Sequence, residues 1–173
     1  AFLLAATIAR QAGRTVALSL SDPFCVDRHR DDFCDLVNDH VDVLFANEEE
    51  IISIYQAQDF DSALQRVRDH CAIAALTRGE KGSVIVAGDE VHVIDAEPID
   101  QLVETTGAGD AFAGCFAAAM SRGQGVEDAL RFASIGAGLS CSSLGAQPSF
   151  PTAKAILQEE WDELRTIESP LSK

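Results

Sequence analysis

Basic residues are scarce in this chain. Its 173 residues include 13 lysines and arginines against 28 aspartates and glutamates, which gives a formal net charge of −15. Nucleic acids and anionic membrane surfaces are bound through basic patches, so this balance argues against both as general partners. No apolar stretch is long enough to span a bilayer. Any phosphate site must therefore be local, built from backbone amides, a few basic groups or a metal ion.

Paired cysteines and metal-binding patterns are also missing. The five cysteines are an odd number without paired spacing, and most lie in segments that look like helix or core. This usage favours a reduced, cytoplasmic protein. Cys25, His29 and Cys34 are the best candidates for a zinc site, but a fourth ligand is missing and a helix explains their spacing.

Methionine is nearly absent too, because Met120 is the single one. The opening stretch AFLLAATIARQAG has no basic leader, and Arg10 interrupts its apolar run. It therefore reads as an amphipathic helix stopped by Gly13 rather than as a signal peptide. We expect the chain to be part of a longer protein.

What the chain does contain is an alternation of strands and helices. Two alternating runs around Gly88-Asp89 predict a hairpin, and the chain reads as helical from Gly107 onward, with a break at 145–151. This order predicts a three-layer α/β/α sandwich whose sheet is mostly parallel with an antiparallel hairpin at its margin, incomplete at the N-terminus. The predicted strands are 15–21, 41–46 and 72–77, and the predicted helices between them are 28–40, 47–55 and 60–71.

The segment ETTGAGDAFAGCF, residues 104–116, needs a specific explanation. Thr106 as a helix cap and Asp110 as an acid favoured by the helix dipole would account for part of it. They do not account for two glycines at a helix start, each of which weakens a helix by about 1 kcal/mol relative to alanine. Glycines let a ligand approach bare amides at a helix N-terminus, which is an anion site. A carboxylate beside that anion could accept a proton, as phosphoryl transfer requires.

Two other glycine motifs fit poorly. The dinucleotide pattern G-x-G-x-x-G fails because Phe112 stands at its third glycine, and the P-loop pattern fails because no G-K-S or G-K-T occurs.

The same segment resembles the D-T-x-G-A-G-D signature of the ribokinase-like (PfkB) carbohydrate kinases. The resemblance implies that Asp110 is the catalytic base that deprotonates the acceptor hydroxyl. It also implies that Gly107, Ala108 and Gly109, with the Asp110 amide, form the anion hole for the transferring phosphoryl group.

Further motifs of that family occur in order along the chain. NEEE, residues 47–50, is similar to N-x-x-E, which would give Asn47 to the nucleotide and Glu50 to magnesium, partly through water. An acidic helix start is the structural alternative. TRGEKG, residues 77–82, is similar to T-x-G-x-x-G, and a plain glycine loop is compatible with it. It implies nucleotide contacts from Thr77, Arg78, Gly79 and Gly82, and Lys81 is a second candidate cation.

GAQPS, residues 145–149, resembles the segment that closes the nucleotide pocket and holds a monovalent cation. The chain has Glu104 where the family has aspartate, and the longer side chain could shift or abolish a potassium site. By resemblance the cation ligands are Glu104, Thr106, Ser140, Ser143, Gly145 and Ser149.

The segment RFASIGAGLSCSS, residues 131–143, reads as a helix with many small residues. The resemblance places Ala133, Ser134 and Gly136 beside the adenine. Tight helix packing explains the same residues equally well, and both interpretations stay open.

The resemblance covers the whole chain as the C-terminal half of such a kinase, most similar to adenosine-kinase-like sugar kinases. It implies an ATP- and magnesium-dependent transfer of the γ-phosphate to a sugar or nucleoside hydroxyl, with a homodimer as a candidate assembly. The competing hypothesis is a nucleotide-binding regulatory module without turnover. A dinucleotide oxidoreductase is a third class, and it lacks its fingerprint.

Overall fold

The computed structural model describes residues 1–99, 101–146 and 149–158. The chain divides into two compact units, Ala1–Asp95 and Ala96–Lys173. The first unit contains five helices, five strands and a short 3₁₀ turn. Its helices are α1 (Phe2–Gln11), α2 (Pro23–Arg28), α3 (Arg30–His40), α4 (Glu48–Tyr55) and α5 (Phe60–Val67). Its strands are β1 (Ala17–Ser19), β2 (Val43–Asn47), β3 (Ile73–Thr77), β4 (Ser83–Ala87) and β5 (Glu90–Ile94), and the 3₁₀ turn is Gly79–Lys81.

The five strands form one mixed sheet in the order β1-β2-β3-β4-β5. β1, β2 and β3 pair in parallel, whereas β4 is antiparallel to both β3 and β5. Four strands therefore run in one direction and β4 alone runs against them. The carboxyl ends of the three parallel strands lie at the same edge of the sheet, where α/β proteins commonly bind ligands.

One hydrophobic core joins the helices of this unit to one face of the sheet. The strands contribute alternate residues, such as Leu44 and Ala46 from β2 and Val84 and Val86 from β4. Since successive side chains of a strand point to opposite faces, these residues share a face. All five helices contribute buried residues to the same core. The other face also carries fully buried side chains, Ala75 and Ile85.

The predicted α/β class and the hairpin around Gly88-Asp89 are confirmed, with three differences in detail. The helix predicted over 28–40 begins earlier and is two helices, because the Asp22 carboxylate accepts a hydrogen bond from Phe24 N and starts α2. The backbone of His29, at φ −123° and ψ 34°, separates α2 from α3. The strand predicted over 15–21 shortens to β1, since Ser21 has a left-handed φ of 67° that no strand can continue.

The second unit is helical. It contains α6 (Ala108–Ser121), α7 (Val126–Ser140) and helical residues 153–158. α6 and α7 pack against each other. The rest of the helix predicted after 151 lies outside the described residues. No helix within the described ranges combines the length and the apolarity that a membrane crossing requires.

Gly136 allows α6 and α7 to approach closely. A Cβ built on this residue would stand 2.6 Å from Cys115 Sγ and 3.2 Å from Ile156 Cδ1. A methyl group would force Cys115 Sγ to move and Ile156 Cδ1 to shift slightly, so the close packing at this helix interface depends on the missing side chain.

Gly136→Ala is therefore expected to lower the free energy of unfolding by about 1–3 kcal/mol, because overpacking outweighs the gain in helix propensity. Gly114→Ala is the matched control, since Gly114 lies inside α6 with open space around its Cβ position. Urea unfolding should show stabilisation for Gly114→Ala, destabilisation for Gly136→Ala, and partial recovery when Cys115→Ala is added. A Gly136→Ala protein as stable as the parent would contradict this account of the interface.

Candidate active site

Two strand ends bring the first pair of candidate residues together. β2 and β3 are parallel and in register, so that Asn47 lies opposite Thr77 at the carboxyl edge of the sheet. Asn47 also starts α4: its Oδ1 accepts a hydrogen bond from Glu50 N at 2.8 Å, and Glu50 Oε2 accepts one from Asn47 N at 2.8 Å. The acidic start of α4 is thus a complete capping box.

Glu50 is nevertheless an unusual capping residue because it is buried, with 5% of its surface exposed. Burial raises the pKa of its carboxyl group, and the nearby Asp22 and Glu49 raise it further, against the lowering effect of the Asn47 amide. The capping box engages Oε2 and leaves Oε1 outside that arrangement. A buried carboxylate surrounded by other acids is an environment that a bound cation would relieve.

The chemistry of these donors fits a magnesium ion that relies on few protein ligands. The described part of the chain holds no group of three or more His, Cys, Asp or Glu residues arranged for a metal. Magnesium commonly uses one or two carboxylates, several waters and the substrate phosphates. The Glu50 carboxylate is a ligand of the kind that such a site uses.

The loop after Thr77 is a tight turn built on glycine. Arg78 N donates to Gly82 O at 2.8 Å, and Gly82 N donates to Gly79 O at 3.1 Å. Gly79 and Gly82 have φ values of 58° and 83°, which L-residues other than glycine seldom adopt. The two candidate glycines thus have a structural reason to be glycine.

Both cations of this loop are turned toward α4. Arg78 Nε and Nη2 each lie 3.3 Å from the Glu48 carboxylate, and Lys81 Nζ lies 3.3 Å from Glu48 Oε2. The guanidinium also stacks on the Phe60 ring, 4.1 Å from its centroid. Hydrogen bonds from Arg78 and Lys81 lower the pKa of the Glu48 carboxyl.

In the second unit, the glycine-rich segment begins α6 without any capping side chain. The N-cap is Gly107 at φ 85° and ψ −2°, and no side chain accepts a hydrogen bond there. Thr106 is not the cap, because its side chain hydrogen-bonds to Glu104 instead. The interpretation of Thr106 as the helix cap is therefore wrong.

Three amides at this helix start are open. Ala108 N donates to Thr105 O at 3.1 Å, and Ala111 N makes the first helical bond to Gly107 O at 2.8 Å. No described residue accepts a hydrogen bond from the amides of Gly107, Gly109 or Asp110. The candidate anion site thus consists of these three amides. The Ala108 amide is not a donor to the site, because it is already bonded to Thr105 O.

The Asp110 carboxylate stands at the same place and is exposed. It is the third residue of α6, so its own amide is one of the three open donors. A Cβ on Gly109 would have nothing within 4 Å, whereas one on Gly107 would lie 3.0 Å from Ala146 Cα. The backbone is therefore closely packed at Gly107 and has open space at Gly109.

The candidates for a monovalent cation site are only partly brought together. The Glu104 carboxylate accepts hydrogen bonds from Gly145 N at 3.0 Å and from the Thr106 hydroxyl. The Gly145 amide bond is the main cause of a lowered pKa of that carboxyl. Ser149 N donates to Gly145 O at 3.1 Å, which adds Ser149 to the group. Gln147 and Pro148 of the GAQPS segment lie outside the described residues.

Two candidates differ from this group, while Ser149 has a distinctive environment. The Ser140 hydroxyl donates to Ala137 O at 2.7 Å, and Ser143 is exposed. The Ser149 hydroxyl is buried and has no partner among the described residues. A buried unpaired hydroxyl is costly, and an ion would satisfy it.

The candidate adenine contacts in α7 need correction. Ala133 is fully buried, and Gly136 lies against Cys115 and Ile156. Packing therefore accounts for these two residues, because neither surface is open to a ligand. Ser134 is half-buried and stays a candidate.

Sequence reasoning missed Glu48 and Phe60. For Glu48 a signal was available in the sequence, because Glu48 follows Asn47 directly and the oppositely charged Arg78 follows Thr77 directly. Parallel strands in register bring those two following residues together. The ring of Phe60 comes from α5, and no local pattern links α5 to this loop.

Comparison with known proteins identifies the family of this chain. Residues 1–153 match the model of the pfkB family carbohydrate kinases. Ribokinase from Bacillus subtilis is 36% identical over 118 residues, which are 68% of this chain and 39% of that protein. The structure of adenosine kinase from Sinorhizobium meliloti is 38% identical with a TM-score of 0.86, over 91% of this chain and 48% of that one.

A third relative was solved with bound small molecules. Arabidopsis thaliana ribokinase, complexed with ribose and ATP, is 28% identical with a TM-score of 0.73, over 89% of this chain and 50% of that one. The chain thus spans half or less of the length of each of these three relatives. Since the family model matches most of the chain, this protein belongs to the pfkB family of carbohydrate kinases.

Proposed function

We propose that the full protein transfers the γ-phosphate of ATP to a hydroxyl group of a sugar or a nucleoside. The observation that carries this proposal is the start of α6, where three open amides adjoin the exposed Asp110 carboxylate. The names of the relatives, ribokinase and adenosine kinase, support an acceptor of this class. The bound ATP of the Arabidopsis relative supports the donor.

Asp110 would act as the general base. Its carboxylate takes the proton of the acceptor hydroxyl as that oxygen attacks the γ-phosphorus, and the bond from phosphorus to the leaving ADP oxygen breaks. The amides of Gly107, Gly109 and Asp110 stabilise the charge on the phosphoryl oxygens during transfer. Because these donors belong to a fixed helix start, they need little rearrangement when the charge develops.

We assign the first unit to the nucleotide. Asn47, Thr77, Arg78, Gly79 and Gly82 would contact ATP, and Glu50 would hold magnesium partly through water. When bound, magnesium neutralises charge on the phosphates. We propose further that this chain is the nucleotide-binding and catalytic-base portion of the kinase domain, and that most determinants of acceptor choice belong to the remainder of the protein.

The direct test of this function is a screen of the full-length protein for ADP release. Ribose, fructose, ketodeoxygluconate and nucleosides would be offered with ATP and magnesium, and ATP binding would be measured separately by calorimetry. Acceptor-dependent ADP release supports the kinase. ATP binding without turnover on any acceptor would favour a regulatory nucleotide-binding module, and NAD binding without ATP binding would favour an oxidoreductase.

We also propose a monovalent cation at Ser149, with Glu104 and Gly145 beside it. If potassium satisfies the Ser149 hydroxyl, KCl should raise the melting temperature and the turnover of the full protein more than NaCl does. Ser149→Ala should abolish that difference. If no ion binds, Ser149→Ala should instead stabilise the protein by about 1 kcal/mol in either salt, because it removes an unpaired buried hydroxyl.

A further inference from the structure

The Glu48 clasp is the set of contacts that Glu48 makes with Arg78 and Lys81 beside Phe60. One carboxylate receives two cations from the loop 78–82, with N···O distances of 3.3–3.4 Å. The Glu48 and Arg78 side chains are about three-quarters buried, at 26% and 25% exposure. The Arg78–Glu48 contact is therefore less screened by solvent than an ordinary surface ion pair, whereas the Lys81 contact is exposed.

The clasp connects two candidate nucleotide-binding segments of the first unit. Glu48 is the first residue of α4 and lies between Asn47 and Glu50 in the chain. Of its two partners, Arg78 immediately precedes the 3₁₀ turn Gly79–Lys81 that follows β3, and Lys81 is the last residue of that turn. Backbone hydrogen bonds already close the turn itself: Arg78 N to Gly82 O, Gly82 N to Gly79 O, and Lys81 N to Arg78 O. The contacts from Glu48 add the placement of the Arg78 and Lys81 side chains, which those backbone bonds do not determine.

The clasp brings two cations together in a chain whose overall charge is −15. Glu48 and the exposed Glu80 of the same turn balance them in number, so what the loop offers an anion is the placement of its cationic groups. Lys81 keeps 59% of its side chain exposed even while it contacts Glu48. An anionic ligand can therefore reach its ammonium group without first breaking the fold of the loop.

We infer that Glu48 is a positioning residue for nucleoside triphosphate binding. It acts through Arg78 and Lys81, whose cationic groups it holds at fixed positions on the loop 78–82. The Phe60 ring packs against the Arg78 guanidinium and helps to hold it. This inference rests on the proposed function, because it assigns the loop to the ATP phosphates. It adds a residue whose role is to organise other donors, and Glu48 itself makes no contact with the nucleotide.

A positioning role for Glu48 predicts whether ATP binding tightens or weakens when its charge is removed. Glu48→Gln removes a negative charge near the phosphates, which by simple electrostatics would tighten ATP binding. If Glu48 acts by positioning, the same change should weaken binding, because the two cations and the loop lose their fixed arrangement. Glu80→Gln is the matched control, since Glu80 is an exposed acid in the same turn.

The experiment uses the full-length protein and four measurements. In Glu48→Gln, the KM for ATP and the calorimetric Kd for ATP should rise about three- to tenfold, as expected for losing charged contacts of this kind. Turnover at saturating ATP should stay close to that of the parent. Without ligand, amide hydrogen exchange at Arg78, Lys81 and Gly82 should accelerate, and Glu80→Gln should change none of these values in that direction.

A double-mutant cycle, with Arg78 and Lys81 changed together, tests whether Glu48 affects ATP affinity through these two cations. If Glu48 acts through the loop cations, adding Glu48→Gln to a protein that already carries Arg78→Gln and Lys81→Gln should change ATP affinity little further. Full additivity would overturn the inference, as would tighter ATP binding by Glu48→Gln or unchanged loop exchange. If the parent protein binds ATP normally and Glu48→Gln does not differ from it, the inference alone fails. If the parent binds no ATP, the proposed function fails as well.

Discussion

Replacing Asp110 with asparagine in the full protein is expected to lower turnover by about two to four orders of magnitude, the usual contribution of a positioned general base. The amide side chain keeps the shape of the carboxylate but cannot accept the acceptor's proton. ATP affinity should stay close to that of the parent, because the amides of Gly107, Gly109 and Asp110 remain. Steady-state kinetics and calorimetric titration with ATP and magnesium measure the two quantities separately.

Asp128 offers a matched control for this substitution. It is the third residue of α7, as Asp110 is of α6, and both helices have a glycine N-cap without a side-chain cap. Each aspartate stabilises its helix by a similar amount, about 0.3–1 kcal/mol, because its negative charge lies near the positive end of the helix dipole. Asp128→Asn should therefore match Asp110→Asn in stability but keep parental turnover. Equal turnover in the two variants would remove Asp110 from the mechanism.

Gly107→Ala is expected to reduce turnover by about two to three orders of magnitude, the range found when donors to a developing charge are lost. The added Cβ would lie 3.0 Å from both Cα and Cβ of Ala146, so the loop or the helix start must move. The φ of 85° would also add about 1–2 kcal/mol of backbone strain for alanine. Both effects displace the open amides from the phosphoryl group, and ATP affinity should fall with turnover.

Gly123→Ala separates the two contributions. Gly123 has nearly the same backbone conformation, at φ 83°, but a Cβ there would meet nothing within 4 Å. This variant should show the loss of stability that comes from strain and keep its activity. If Gly107→Ala lost stability to the same extent and kept full turnover, the amides at the start of α6 would have no part in the reaction.

The parts of the candidate site whose local structure could be predicted from the sequence consist of contiguous residues. The segment 104–116 specifies a helix start, and the glycine N-cap, the open amides and the exposed carboxylate are all local consequences of its order. The NEEE segment was predictable for the same reason, because a capping box spans only Asn47 to Glu50. The mostly parallel sheet and the hairpin at its margin also followed from the order of the elements along the chain.

What the sequence did not reveal depends on contacts between distant residues. Small residues in α7 fit both an adenine contact and close packing, and only the position of Cys115 and Ile156 decides for Gly136. The Glu48 clasp joins residues 30 and 33 positions apart through the register of two strands. The Ser149 hydroxyl likewise is buried by folding, away from any hydrogen-bond partner among the described residues.

The central claim is that the open amides at residues 107, 109 and 110 hold the migrating phosphoryl group while Asp110 collects the proton. A crystal structure of the full protein with ADP, magnesium, an acceptor and aluminium fluoride as a phosphoryl mimic tests it most directly. The account predicts the fluoride within about 3 Å of those amides and an Asp110 oxygen within hydrogen-bonding reach, about 2.6–3.2 Å, of the acceptor hydroxyl. A mimic bound elsewhere, or a carboxylate turned away from the acceptor, would contradict it.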